Sequence, residues 1–143
     1  MSKIAVVYWS GTGNTEAMAN LVQEGITSAG GEAELFTAVE FSGGKAKEYD
    51  KIAFGCPSMG SEQLEDTEFE PMFESVKPEL GGKNVALFGS YGWGDGEWMR
   101  NWAEDCSAAG CKVIPDPVTV NGAPEGEDAQ ACKALGELSL IHI

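Results

Sequence analysis

The chemistry-bearing residues of this chain fall in three short loops, each directly behind an apolar run. The first reads Ser10-Gly-Thr-Gly-Asn-Thr15 and leads at once into a helix-patterned stretch. Gly11 and Gly13 let the backbone turn tightly and approach a ligand. The hydroxyls of Ser10, Thr12 and Thr15, with the amide of Asn14, supply hydrogen-bond donors. The helix start adds unpaired N–H groups and the positive end of its dipole. The loop has no Lys or Arg, so it lacks the lysine of a nucleoside-triphosphate P-loop. It is built to hold one terminal phosphate with neutral donors. The other two loops read Cys56-Pro-Ser-Met-Gly-Ser-Glu62 and Ser90-Tyr-Gly-Trp-Gly-Asp-Gly96. The glycine spacing in the last of these does not fit a dinucleotide fingerprint, nor does its place late in the chain.

These loops require a frame. Strands are expected over residues 3–9, 32–37, 51–55, 84–90 and 112–120, the last made irregular or confined to an edge by Pro115 and Pro117. Ile4-Ala-Val-Val and Val85-Ala-Leu-Phe are apolar without alternation, as in strands of a parallel sheet covered on both faces. Helical spacing runs over 14–29, with Gly30-Gly31 as its stop. It recurs over 97–109, where Met99, Trp102, Ala103 and Cys106 form a stripe, Asp95 is the expected N-cap and Gly110 the stop. A third helix is expected over 68–76 and a fourth from about Glu125, while the Gly-rich segment at 42–47 predicts one turn or a loop. Alternating strands and helices give a single-domain α/β fold with an open parallel sheet and right-handed crossovers. In such a sheet ligands bind beyond the carboxyl ends of the strands, where the three loops lie.

Composition narrows the function classes. Of 143 residues, 23 are acidic and 9 basic, and the net charge of −14 disfavours nucleic acid and anionic membrane surfaces. That charge suits either docking on basic protein surfaces or solubility alone. No stretch approaches the ~20 apolar residues of a membrane span. No secretion signal is recognised at the N-terminus, so a cytoplasmic location is expected. Cys56, Cys106, Cys111 and Cys132 lack the paired spacing of a zinc or iron–sulfur site and read as free thiols in apolar surroundings.

The segment Tyr8-Trp-Ser-Gly-Thr-Gly-Asn-Thr-Glu-Ala-Met18 resembles the phosphate-binding signature of flavodoxins, and the order of elements from about Lys3 to about Leu135 is similar to theirs. The likeness is to the short-chain type of anaerobic bacteria, since the fifth strand leaves no room for the insertion of the long-chain type. It implies a three-layer fold with a five-stranded parallel sheet in the order 2-1-3-4-5 and FMN at the switch point, an arrangement for which flavodoxin is itself a standard example. By the same resemblance, Met59 packs on one face of the isoalloxazine ring and Trp93, between Gly92 and Gly94, stacks on the other. A polarisable thioether and a broad indole face suit those places. Glu62 accepts a hydrogen bond from the pyrimidine N–H, Ser58, Ser90 and Tyr91 adjoin the cofactor, and the peptide at Gly60-Ser61 turns over on one-electron reduction. The carboxylates Glu62, Glu65, Asp66, Glu68 and Glu70 form either a solvated face or a docking patch beside the flavin edge.

The implied function is that of a low-potential one-electron carrier, not an enzyme, working in place of or alongside ferredoxin. The implied partners are basic surfaces of redox enzymes of the ferredoxin-using type, with the carrier a monomer. Acidic surroundings oppose further negative charge on the ring, each carboxylate at ~10 Å in a water-like dielectric contributing about 0.4 kcal/mol. The alternative is a flavodoxin-like NAD(P)H-dependent FMN reductase, for which the chain has little spare length to build a nicotinamide pocket. The closing Leu138-Ser-Leu-Ile-His-Ile143 resembles the in-frame translation of a sequencing adapter. The expected FMN-binding domain is therefore residues 1–137, with 138–143 a non-native tail in which His142 has no role.

Overall fold

The computed structural model describes residues 3–11, 13–49, 51–59, 64–92, 96–113 and 117–141. Five strand positions and their helices alternate along the chain: β1 (Lys3–Tyr8), α1 (Asn14–Ser28), β2 (Glu32–Thr37), α2 (Gly43–Ala46), β3 (Lys51–Gly55), α3 (Phe69–Val76), β4 (Asn84–Tyr91), α4 (Glu97–Ala108), β5 (Lys112–Val113), β6 (Val118–Asn121) and α5 (Glu127–Ile141). The sheet is parallel in the order β2-β1-β3-β4-β5, and β6 also pairs with β4. The expected fifth strand is thus two short pieces on one edge, as its prolines dictate. The 2-1-3-4-5 order of the sequence reading holds.

Residue alternation sorts the core into two layers. In β1, Ile4 and Val6 face Met18, Val22 and Ile26 of α1 and Cys132 and Leu135 of α5. Ala5 and Val7 face the opposite layer, where Phe54, Phe69, Phe73, Trp98 and Trp102 belong to one cluster. β3 is buried along its whole length, and β4 through all but its end residues, which accounts for their unbroken apolar runs. α1 and α5 approach closely through glycines. A Cβ on Gly25 would lie 2.0 Å from the Lys133 carbonyl oxygen, and one on Gly136 would lie 2.2 Å from that of Val22.

Helix ends follow the sequence with one correction. Gly30 (φ 93°) and Gly110 (φ 90°) stop α1 and α4 in left-handed turns. At the start of α4 the N-cap is Gly96 (φ 93°), not Asp95, which lies outside the described residues. A left-handed cap suits glycine, which brings no capping side chain of its own. α2 is a single turn, as the Gly-rich segment predicts. α5 starts at Glu127, two residues later than expected, and runs to Ile141. All four cysteines are buried free thiols.

Candidate functional site

The carboxyl ends of β1, β3 and β4 are joined by backbone hydrogen bonds that continue past the strands. Trp9 N–H donates to Gly55 O at 3.0 Å, Cys56 N–H to Phe88 O at 3.1 Å, and Ser58 N–H to Ser90 O at 3.0 Å. The three loops singled out in the sequence therefore emerge side by side.

In the first loop, Gly13 adopts φ 98° at the N-cap of α1 and offers no side chain to the N–H groups of the first turn. Those groups and the dipole are left for an anion. Ser10 Oγ accepts the Gly13 N–H at 3.0 Å, which fixes the turn and leaves the Ser10 hydroxyl proton free to point outward. Gly11 is needed for a different reason from Gly13, since a Cβ there would lie 3.1 Å from the Trp9 ring. Thr15 is almost fully buried, its hydroxyl 3.0 Å from that of Ser90 and accepting the Ser90 N–H at 3.4 Å. This pair ties the start of α1 to the end of β4.

Ser58 carries the most informative atom of the site. Its Oγ is buried without any hydrogen-bond partner, next to the Ser90 carbonyl that holds its N–H. A buried unpaired hydroxyl costs about 1–3 kcal/mol, so such an atom calls for a ligand oxygen. Met59 is half-buried, Gly92 exposed, and Tyr91 leans on Trp98 with ring centroids 5.6 Å apart. Ser10, Gly11, Gly13, Asn14, Thr15, Ser58, Met59, Ser90, Tyr91 and Gly92 are thus gathered at one end of the sheet. Thr12, Gly60, Ser61, Glu62, Trp93 and Gly94 lie outside the described residues.

Of the five carboxylates between positions 62 and 70, Glu65 departs from both sequence readings. It is 4% exposed, neither a solvated side chain nor a docking one. Its carboxylate accepts the N–H groups of Thr67 (2.9 Å), Glu68 (2.7 Å) and Phe69 (2.8 Å) and the Thr67 hydroxyl, closing the start of α3. Burial pushes its pKa up, but these hydrogen bonds outweigh burial and hold it below the ordinary 4.5. Its own N–H donates to Cys56 Sγ at 3.3 Å.

Two tryptophans matter that the sequence reading did not single out. The Trp9 indole N–H donates to Glu68 Oε1 at 2.7 Å, spanning from the first loop to the start of α3 beside a cleft of about 500 Å³. The Trp98 indole N–H donates to the Cys56 carbonyl at 3.2 Å, spanning from α4 to the second loop. The signal available for Trp98 was its spacing of four from Trp102 on the buried stripe of α4.

The flavodoxin family model matches residues 6–136. The flavodoxin of Megasphaera elsdenii is 46% identical over 134 residues, covering 94% of this chain and 96% of its own. That of Clostridium beijerinckii is 43% identical, covering 92% and 95%. The chain belongs to the flavodoxin family. The solution structure of the two-electron-reduced Megasphaera elsdenii flavodoxin superimposes with a TM-score of 0.89, covering 95% of this chain and 97% of that one. A flavodoxin from the domain Archaea, 31% identical, gives 0.84. The protein is accordingly an FMN-binding electron carrier that exchanges electrons with redox partners, and the reductase alternative is not favoured. The residues present fit that cofactor, with an anion-ready helix start, neutral hydroxyls and an orphaned Ser58 Oγ at one place. Among the described residues no helix is long and apolar enough to cross a membrane.

Proposed function

We propose that FMN is held phosphate-first by the loop at residues 10–15, with its ring between the loops that follow β3 and β4. Bound FMN supplies one-electron chemistry, and the protein supplies position and electrostatics. The phosphate takes hydrogen bonds from the hydroxyls of Ser10, Thr12 and Thr15, the amide of Asn14 and the first N–H groups of α1. Gly11 and Gly13 allow the close approach. Ser58 and Ser90 contribute at the ribityl or phosphate end, and the unpartnered Ser58 Oγ is the observation that carries this reading. Met59 and Trp93 cover the two ring faces, Tyr91, Gly92 and Gly94 shape the second cover, and Glu62 receives the pyrimidine N–H. Gly60 and Ser61 form the peptide that responds to reduction.

The carrier docks as a cytoplasmic monomer on basic surfaces of redox enzymes of the ferredoxin-using type. The net charge of −14 supports this reading, as do the exposed Asp66 and Glu68 just before α3 and Glu70 in its first turn. Residues 138–143 are read as a non-native tail, so deleting residues 139–143 leaves FMN affinity unchanged.

Titration of the flavin-free protein with FMN and with riboflavin tests the site. FMN binds tightly at 1:1 and riboflavin far more weakly, whereas equal affinities overturn the phosphate assignment. Stopped-flow electron transfer to a basic partner tests the docking. Its rate falls steeply between about 0.1 and 1 M salt, as the Debye length shrinks from ~10 to ~3 Å, and a flat profile leaves the charge to solubility alone.

A further inference from the structure

Two of the four buried cysteines face each other. Cys106 lies on the inner side of α4, and Cys111 is the third residue beyond the helix, with left-handed Gly110 turning the chain between them. The Gly110 N–H donates to the Ser107 carbonyl at 3.0 Å and the Cys111 N–H to the Cys106 carbonyl at 3.3 Å, a Schellman turn. The Cys111 thiol donates to the same Cys106 oxygen at 2.9 Å, which holds the Cys111 sulfur against Cys106 at this turn. We propose that Cys106 and Cys111 are a redox-active dithiol, converted by peroxide to an intramolecular disulfide that staples the end of α4 to the start of β5.

An apolar contact between these two positions commonly accompanies a Schellman turn, and any pair of apolar side chains provides it. Two thiols do more, because neighbouring ionisable sulfurs titrate as a pair. The neighbouring Cys111, with burial, raises the Cys106 thiol, whereas the neighbouring Cys106 lowers Cys111. Burial pushes both remaining thiols, Cys56 and Cys132, upward. Cys111 is also the cysteine with measurable exposure, 6% against 0% for the other three. A more acidic, slightly accessible sulfur beside a protonated partner is the arrangement of an attacking and a resolving cysteine.

The steps balance with hydrogen peroxide as the oxidant. The Cys111 thiolate attacks one peroxide oxygen, the O–O bond breaks, and hydroxide leaves and is protonated to water, giving a sulfenic acid. The Cys106 sulfur then displaces the hydroxyl group, which departs as water with the Cys106 proton as the S–S bond forms. Two thiols and one peroxide become one disulfide and two waters, with two electrons passing from sulfur to oxygen. The pair lies at the amino end of the strands, where Lys112 pairs with Asn84 and the Gly82 N–H donates to the Gly110 carbonyl at 2.9 Å. Oxidation there leaves the loops at the opposite end of the sheet untouched.

A single tryptic peptide, residues 101–112, contains both cysteines. FMN-loaded protein is exposed to hydrogen peroxide, unfolded in iodoacetamide and digested. The expected peptide is two hydrogen masses lighter than its reduced form and unalkylated, and dithiothreitol reverses this. Cys56 and Cys132 are alkylated, and the flavin absorbance is unchanged. In Cys106→Ser, Cys111 halts at the sulfenic acid and is captured by dimedone. A wild-type peptide that stays doubly alkylated overturns the proposal. So does one carrying a sulfinic acid on Cys111 with no loss of two hydrogens.

Discussion

The two layers that cover the sheet are built by different means and present different parts of the site. On one face, α1 and α5 meet backbone to backbone through Gly25 and Gly136, over an aliphatic floor of Ile4, Val6, Val22 and Ile26. This layer carries the phosphate loop directly on the start of α1. On the other face, aromatic rings interlock edge to face. Phe54 meets Phe73 at 5.3 Å and 86°, and Phe69 meets Trp102 at 5.4 Å and 88°. That layer carries the two ring-holding loops, which lead into α3 and α4. The loop at residues 10–15 is shaped by short-range geometry, Ser10 to Gly13 and the helix cap, with one distant tie from Thr15 to Ser90. The described start of the second loop is tied from a distance, by the Glu65 N–H to Cys56 Sγ and by the Trp98 indole N–H to the Cys56 carbonyl. On the proposed reading, phosphate specificity rests on a largely local motif, and control of the ring on contacts between distant elements.

The strongest way to break this comparison is at the glycine contact. In Gly25→Ala the new methyl group meets a backbone carbonyl that cannot swing aside. The expected loss is about 3 kcal/mol of folding stability, read by urea denaturation of the flavin-free protein. The phosphate loop should suffer with it, since α1 carries both. A variant that unfolds at the wild-type urea concentration shows that α1 and α5 are not locked in this way.

Within the phosphate loop, Thr12→Ala and Thr15→Ala should each weaken FMN binding by about 1–3 kcal/mol, roughly 5- to 150-fold. Thr15→Ala also removes the bond to Ser90, so it should lower the stability of the flavin-free protein as well. Fluorescence titration with FMN and with riboflavin separates the two effects, because only the phosphate contribution vanishes with riboflavin. Equal losses for both ligands would reassign Thr15 to a purely architectural role.

This division also explains what the sequence disclosed. Periodicity exposed the parallel sheet because β3 and β4 are buried on both faces, and Ser10-Gly-Thr-Gly-Asn-Thr15 was legible because its chemistry is contiguous. The Thr15–Ser90 bond joins residues 75 apart, and no local pattern announces it. Glu65 looked like one acid among five, since burial of a carboxylate depends on which N–H groups the fold turns toward it. Trp98 sits next to the recognised stripe, yet its partner is a carbonyl 42 residues away. Asp95 was the better N-cap by residue type, but a left-handed backbone at Gly96 took the position.

The struts of the ring-side layer are tested at Glu65. Glu65→Gln keeps the shape but exchanges a charged acceptor for a neutral one, with an expected loss of about 1–2 kcal/mol of stability near neutral pH. The pH dependence has a definite sign. The folded-state pKa of Glu65 lies below its ordinary 4.5, so its contribution is fully present above that value and is lost as pH falls through the folded pKa. Wild type and Glu65→Gln should therefore converge in stability as the pH falls through the folded-state pKa of Glu65, which lies below 4.5. A gap that stays constant between pH 7 and pH 3 would show that packing, not the carboxylate charge, accounts for the difference.

The smallest effect is expected at Ser61, where the ring-side reading comes from sequence resemblance and lies outside the described residues. By that resemblance, the Gly60 carbonyl turns to accept a hydrogen bond from the flavin N(5)–H once the ring has taken one electron and one proton. The turn formed is of type II, with Ser61 at the position that requires positive φ. Glycine adopts that conformation freely, whereas serine carries a Cβ and is disfavoured by roughly 1 kcal/mol. Ser61→Gly should relieve about 0.5–1 kcal/mol of this and raise the first reduction potential by about 20–40 mV. The second potential should fall by a similar or smaller amount, according to how far the turn persists after the second electron. Phosphate recognition should not respond, because the loop at residues 10–15 holds its geometry without help from this turn. Spectroelectrochemical titration of the two proteins, with FMN affinity measured alongside, reads both quantities. A first potential that is unchanged or lower removes the Gly60–Ser61 turn from redox control, and a changed preference for FMN over riboflavin means that the two layers are coupled.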